Sequence, residues 1–273
     1  VALAAAALVA ERQPDLVLLS GDLTQRAKPA QFREARRFVD GLARPALVVP
    51  GNHDVPLYRF WERLFAPFGA YRRHFARELE PEYRDEELAV VGVNTAHAWT
   101  LKGGRVRRGQ LARLAASFAE TPPDRCRIVV AHHQLVPAPG ARSRSSMRNA
   151  RAAAAAYASA GVELVVSGHL HEAFVMRSDE AFPGLGEPFL LVHCGTTTSD
   201  RGRGPEQRAH SCTWIEVDRE AIALSTLRYD PRQGRFAEHQ RHRFVRRRSP
   251  ARAAGDIMRT GRSGSTEGRS GDE

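Results

Sequence analysis

The sequence predicts an α/β fold, a four-layer α/β/β/α sandwich in which helices cover two mixed sheets. Short apolar runs alternate with helical segments up to Glu172, and this alternation is typical of parallel βαβ units. After Glu172 the predicted strands follow one another without helices, which favours a second, mostly antiparallel sheet. A hydrophobic fraction of 42% over 273 residues is enough for one large core and argues against global disorder.

Each element is predicted from its own pattern. An Ala-rich opening and four segments of helical character predict helices over 1–12, 31–42, 59–75, 109–119 and 150–160. Short apolar runs predict strands buried on both faces over 16–20, 46–49, 88–93, 127–131 and 162–167. The second sheet is predicted from 189–194, 212–217, 221–229 and 239–245. We expect Trp61, Phe65 and Phe68 to pack in the core or under a cap, with base stacking as the second interpretation.

Composition indicates one domain over 1–248 and a disordered, basic, Gly- and Ser-rich tail over 249–273. No apolar run reaches the roughly 20 residues that a membrane span needs. Three cysteines without paired spacing predict reduced, buried thiols in a cytoplasmic protein. Much of the net charge of +10 lies between Arg228 and Arg262, where 11 Arg accompany 3 acidic residues. We interpret this region as solvated rather than as a site for nucleic acid.

Four polar segments follow four of the predicted strands. They are SGD ending at Asp22, GNHD ending at Asp54, the pair His132-His133, and GHLH ending at His171. Because the carboxyl ends of parallel strands meet at one edge of a sheet, we expect these side chains to converge. Carboxylate and imidazole ligands suit divalent Zn, Mn, Fe and Co. The four segments together therefore predict a metal site.

The order GD, GNHD, H and GHxH resembles the signature of the calcineurin-like metallophosphoesterase superfamily. The stretches GDLTQRAKPAQF, VVPGNHDVP, VVAHHQLVP and SGHLHEA most resemble its class III cyclic-nucleotide phosphodiesterase-like branch, over about residues 14–229. The resemblance implies two divalent ions, Mn, Fe, Zn or Co, and hydrolysis of a small phosphodiester or nucleotide by a hydroxide that bridges them.

The resemblance also implies a ligand set for the two metals. Asp22 would bridge both ions through its carboxylate, and Asn52, His132 and His169 would complete the second site. His171 would bind the first metal.

Two further residues receive catalytic roles from the resemblance. His53 would contact the phosphate and protonate the leaving oxygen, with Asp54 orienting its ring. His133 occupies a position that varies in the family, so we expect it at most behind the ligands.

One motif of the family has no counterpart in this sequence. No aspartate is followed two residues later by a histidine, although the family binds its first metal with such a pair. The chain opens on what looks like a crossover helix, so the first strand of the fold is expected to be lacking. Either the chain is a fragment or the first metal site has been lost, and the presence of every other ligand favours a fragment. We therefore expect the 273 residues alone to be a weak catalyst and a longer parent to be active.

Other functions remain open on the sequence alone. Within the superfamily the alternatives are a nuclease or a nucleotide pyrophosphatase. Outside it, a non-catalytic relative would bind nucleic acid or another anionic partner through the basic C-terminal region. A homodimer is compatible with the sequence, but no pattern in it predicts one.

Overall fold

The computed structural model describes residues 1–99, 103–140 and 146–246. Within these ranges the helices are α1 (Ala2–Arg12), α2 (Pro29–Gly41), α3 (Phe60–Phe65), α4 (Gly69–His74), α5 (Arg108–Ala119), α6 (Ala150–Ser159) and α7 (Ser178–Ala181). The strands are β1 (Val17–Leu19), β2 (Ala46–Val48), β3 (Glu82–Arg84), β4 (Leu88–Val93), β5 (Cys126–Ala131), β6 (Leu164–Ser167), β7 (Phe174–Arg177), β8 (Leu190–His193), β9 (Ser211–Val217), β10 (Ala221–Asp230) and β11 (Arg235–Val245). The predicted tail, 249–273, lies outside the described residues.

Six strands form the largest sheet, in the order β3-β4-β5-β6-β8-β7. Strands β4, β5, β6 and β8 run parallel, while β3 and β7 pair antiparallel at the two edges. The inner strands are apolar runs because both faces of the sheet are covered. On one face, α5 and α6 bury Leu114, Phe118 and Tyr157 in a cluster with Val91 and Val129.

The assignment of residues 189–194 to the second sheet is wrong. This segment forms β8, which lies parallel to β6 with Leu190 opposite Leu164. All four residues of β8 are buried, as expected of an inner strand covered on both faces. The absence of a long helix before β8 was misleading, because the connection from β6 runs instead through β7 and the short helix α7.

Strands β9, β10 and β11 form the second sheet, which is wholly antiparallel rather than mixed. Ile222 and Leu224 of β10 share a buried cluster with Val130 and Val166 of the large sheet. Helix α1 lies against β11, and the guanidinium of Arg12 sits 5.1 Å from the ring centre of Trp214. The predicted α/β class is thus confirmed.

Strands β1 and β2 form a separate parallel pair. Leu47 and Val49 share the buried cluster between the sheets with Val90 of β4. The pair therefore packs beside the large sheet through side chains, and the ladder of backbone hydrogen bonds is interrupted between them.

The aromatic segment is two short helices rather than one. Helix α3 ends before Pro67, since the residue that precedes a proline disfavours helical backbone. Phe68 is buried as predicted, in the cluster that α2 and α4 share. The prediction for Trp61 and Phe65 is wrong, because 69% and 75% of these residues are exposed on α3.

No helix in the described ranges has both the length and the apolar character that crossing a bilayer requires. All three cysteines are free thiols, with Cys126 buried and Cys194 and Cys212 half-buried. Burial raises the pKa of the Cys126 thiol, which suits the predicted reduced state.

The end of β11 is fastened to the large sheet by an ion pair. Arg246 donates from Nε and Nη2 to the carboxylate of Glu163 at 2.8 and 2.9 Å, and only 4% of the Arg246 side chain is exposed. We expect Arg246→Met to lower the free energy of unfolding by about 2–3 kcal/mol, because Glu163 keeps a largely buried charge without a partner. Urea denaturation measures this change. Arg243→Met, which removes an exposed partner of Asp218, should cost under about 0.5 kcal/mol, and equal losses would contradict the prediction.

Candidate metal centre

The four motif segments lie directly beyond the carboxyl ends of β1, β2, β5 and β6. Two glycines let the loops approach closely. A Cβ on Gly51 would collide with Oδ1 of Asp22, and a Cβ on Gly168 would lie 2.8 Å from Oγ of Ser20. The loops after β1, β2 and β6 therefore meet although β1 does not pair with the large sheet.

Four of the five predicted metal ligands converge in the structure. Oδ1 of Asn52 lies 3.0 Å from Nε2 of His132 and 3.0 Å from Nδ1 of His169. The two imidazole nitrogens are 3.2 Å apart, and Nε2 of His132 lies 3.3 Å from Oδ1 of Asp22. One carboxylate, one amide oxygen and two ring nitrogens thus point at a shared position.

This donor set matches a divalent cation. Ring nitrogens, an amide oxygen and a carboxylate are all electron-pair donors, and a borderline metal such as Zn, Mn, Fe or Co binds this mixture well. Nδ1 of His132 is held at 2.7 Å from the carbonyl oxygen of Ser20, which leaves Nε2 free to serve as the ligand atom. The residues present therefore suit a metal ion.

Backbone strain is concentrated at the same residues. Asp22, His169 and His171 have φ of 57°, 77° and 60°, in the left-handed region that non-glycine residues rarely adopt. Such conformations cost about 1–3 kcal/mol each and cluster at functional sites. Three of the predicted ligands therefore have a backbone conformation that is typical of functional sites.

His53 lies beside these ligands and is half-buried. Its backbone N–H donates to Oδ1 of Asp22 at 2.9 Å, and its ring Nδ1 lies 3.0 Å from the carbonyl oxygen of Gln25. A carbonyl only accepts, so Nδ1 carries a hydrogen and Nε2 is the nitrogen left for exchange with a substrate.

The predicted role of Asp54 needs correction. Its carboxylate does not orient the ring of His53 but turns inward, where it accepts hydrogen bonds from the backbone N–H groups of Leu23, Thr24 and Gly51 and from the hydroxyl of Thr24. Burial, and then repulsion by Asp22, raise the pKa of Asp54 to about 7, while these hydrogen bonds act in the opposite direction. Asp54 therefore ties the loop after β1 to the loop after β2, and the Gln25 carbonyl orients His53 instead.

His171 stands apart from the four converged ligands. Its Nδ1 lies 3.1 Å from the carbonyl oxygen of Arg201, and its own carbonyl accepts a hydrogen bond from the N–H of Arg203. Burial lowers the pKa of His171, while the Arg201 carbonyl and the Asp22 carboxylate act to raise it. His171 is thus fixed near Asp22 by the loop that follows β8.

His133 is closer to the centre than the sequence indicated. In the described part of the chain, His132, His133 and His169 form the one group of at least three His, Cys, Asp or Glu residues that could share a metal, with ligand atoms within 4.8 Å. Nδ1 of His133 lies 2.8 Å from Oγ1 of Thr95, and its buried Nε2 has no hydrogen-bond partner among the described residues. Burial, and then His132, His169 and His97, lower the pKa of His133 well below its usual value.

The chain is similar to known proteins in both sequence and fold. The family model described as calcineurin-like phosphoesterase matches residues 2–173. A probable cyclic nucleotide phosphodiesterase of Synechococcus sp. is 31% identical over 172 residues, which are 60% of this chain and 61% of that protein. A cAMP/cGMP dual specificity phosphodiesterase of Mycobacterium tuberculosis is 24% identical over 229 residues, 79% of this chain and 66% of that one. The chain thus matches just under two thirds of the length of either relative.

The chain is also similar to a third sequence relative and to a solved structure. A glycerophosphodiester phosphodiesterase of Enterobacter lignolyticus is 40% identical over 42 residues, 15% of each chain. The crystal structure of a dimetal phosphatase from Danio rerio superposes with a TM-score of 0.58 at 12% identity, covering 88% of this chain and 87% of that one. The latter supports the fold alone. The family match covers more than half of the sequence and includes the segments that carry Asp22, Asn52, His132 and His169, and the chain belongs to the calcineurin-like phosphoesterase family.

Proposed function

We propose that this protein is a metal-dependent phosphodiesterase that acts on small phosphodiesters, cyclic nucleotides among them. The observation that carries the proposal is the convergence of Asp22, Asn52, His132 and His169 on one position. Two of the three sequence relatives are named for cyclic nucleotides and the third for glycerophosphodiesters, which supports the diester class.

One divalent ion would be held by Asn52, His132 and His169, and the other by His171. Asp22 would be shared by both ions, because a carboxylate has two oxygens. When bound, two such ions polarise a phosphate and bring the pKa of a water near neutrality. The carboxylate of Asp22 is held in place by a hydrogen bond from the N–H of His53, and the backbone of Asp22 has a left-handed φ of 57°.

His53 supplies the proton in the proposed reaction. Because Nδ1 is committed to the Gln25 carbonyl, Nε2 is the atom that can give a proton to the leaving oxygen of the substrate.

The test is hydrolysis of bis-p-nitrophenyl phosphate with added Mn or with EDTA, by the 273-residue chain and by its N-terminal extension in the genomic reading frame. We expect Mn-dependent turnover, and we call whichever of the two proteins hydrolyses the substrate faster the active form. Asn52→Ala should lower kcat/KM of the active form about 100-fold or more, since the metals contribute several kcal/mol. Gln240→Ala, which truncates an exposed amide on β11, is the matched control and should change nothing. Turnover that survives EDTA, or an unimpaired Asn52→Ala variant, would contradict the proposal.

A further inference from the structure

Next to the metal centre, three chain segments meet around His133. The N–H of Arg105 donates to the carbonyl of Thr95 at 3.1 Å, and the N–H of Arg148 donates to the carbonyl of Gly104 at 2.9 Å. Thr95 holds the ring of His133, and a Cβ on Gly104 would lie 2.5 Å from that ring. The segments that carry these arginines therefore border the centre directly.

Four arginines lie in these segments or in α3. Arg105 and Arg107 precede α5, Arg148 precedes α6, and Arg63 of α3 lines a small cleft with Ala98 and Trp99. His97 follows Thr95 by two residues. Burial is the largest cause that lowers the pKa of His97, and the positive charges of these four arginines lower it further. We call Arg63, Arg105, Arg107 and Arg148 the basic cluster.

Three arginines of the basic cluster have no acidic partner among the described residues. Arg105, Arg107 and Arg148 form none of the ion pairs that exposed arginines such as Arg36 and Arg241 make. The guanidinium of Arg63 donates to the carbonyl of Pro56. Concentrated positive charge without counter-charge attracts anions, and arginine in particular recognises phosphate.

An aromatic face adjoins the basic cluster on α3. Six of the nine large apolar side chains exposed within the described residues lie on α3, directly before it or across the small cleft from it, namely Leu57, Tyr58, Phe60, Trp61, Phe65 and Trp99. Phe60 and Trp99 line the same small cleft as Arg63, and Trp61 stacks on Phe65 with ring centres 5.9 Å apart. Exposed aromatic rings beside arginines are the surface on which nucleobases stack.

We propose that the basic cluster is a second anion site that holds an additional phosphate of a nucleotide substrate, with a nucleobase against Phe60 and Trp99. The inference rests on the proposed function, in which the scissile diester lies at the metal centre. The protein would therefore prefer nucleotide diesters that carry a further phosphate over diesters that lack one.

The kinetic test compares a dinucleoside monophosphate, ApA, with its singly phosphorylated forms pApA and ApAp, in the active form with Mn. We expect kcat/KM for one phosphorylated form to exceed that for ApA at least about tenfold, mainly through KM. The combined variant Arg105→Gln, Arg107→Gln, Arg148→Gln should bring this ratio near one and leave ApA turnover within about twofold. The control Arg33→Gln, Arg37→Gln, Arg219→Gln removes the same charge elsewhere on the surface and should preserve the ratio. A ratio near one in the unmodified protein, or the same loss of preference in the control, would overturn the proposal.

A binding experiment separates this inference from the proposed function. Calorimetry in EDTA measures adenosine 3′,5′-bisphosphate and pyrophosphate binding without any metal or turnover. Binding that the basic-cluster variant weakens about tenfold or more, and the control variant does not, supports the anion site even if no diester is hydrolysed. Equal affinity of the unmodified protein and the basic-cluster variant overturns it. Trp99→Ala should weaken the binding of the bisphosphate but not the binding of pyrophosphate. An equal loss of affinity for both ligands would overturn the proposed contact between the nucleobase and Trp99.

Discussion

Asp22→Asn is expected to lower kcat/KM for bis-p-nitrophenyl phosphate about 1000-fold or more in the active form. Asp22 is the one carboxylate among the converged ligands and the shared ligand of the proposed pair, and an amide lacks the charge and the second anionic oxygen. Metal-assisted stabilisation of a phosphoryl group contributes several kcal/mol, and each 1.4 kcal/mol corresponds to a factor of ten.

The same substitution should leave the fold intact. Asparagine tolerates the left-handed backbone at position 22, and its Oδ1 can still accept the hydrogen bond from the N–H of His53. The unfolding midpoint in EDTA should therefore not fall, since the change also relieves the repulsion between Asp22 and Asp54. Asp40→Asn, on the exposed face of α2, is the control for both measurements. Activity of Asp22→Asn within tenfold of the unmodified protein would remove Asp22 from the ligand set.

Asp54→Ala is expected to lower the free energy of unfolding of the metal-free protein by about 3–5 kcal/mol. The substitution leaves the buried backbone N–H groups of Thr24 and Gly51 and the part-buried N–H of Leu23 without their acceptor, and each unsatisfied buried group costs about 1–3 kcal/mol. Urea denaturation in EDTA measures the change.

Asp54→Asn distinguishes this explanation from a simple loss of volume. Its amide keeps one acceptor oxygen of similar shape, so the expected loss is smaller, about 1–2 kcal/mol. Asp40→Ala removes an exposed carboxylate and should cost under about 0.5 kcal/mol. If Asp54→Ala unfolds within 1 kcal/mol of the unmodified protein, Asp54 does not tie the two loops together.

Much of the fold and the core of the site could be predicted from local pattern. Apolar runs such as Leu88–Val93 predict their strands because a buried parallel strand has no polar face. The candidate ligands Asp22, Asn52, His132 and His169 could be assigned to one place because parallel strands present their carboxyl ends at one edge. These predictions need only the spacing of apolar residues along the sequence and the chemistry of single side chains.

The remaining features depended on partners distant in the chain. β8 joined the large sheet because its buried run pairs with β6, and Trp61 and Phe65 stayed exposed on α3 although their residue types favour burial. The inward turn of Asp54 required donors from Leu23 and Thr24, about thirty residues earlier.

The sequence by itself determined the family, the ligand types and the strand ends that carry them. Only the tertiary structure decided that His133 borders the centre, that the loop after β8 holds His171, and that arginines from three segments lie near His97. The reason is physical: a side chain's chemistry is local, but the hydrogen-bond acceptors, charges and burial that direct it come from whichever segments the packed core brings alongside.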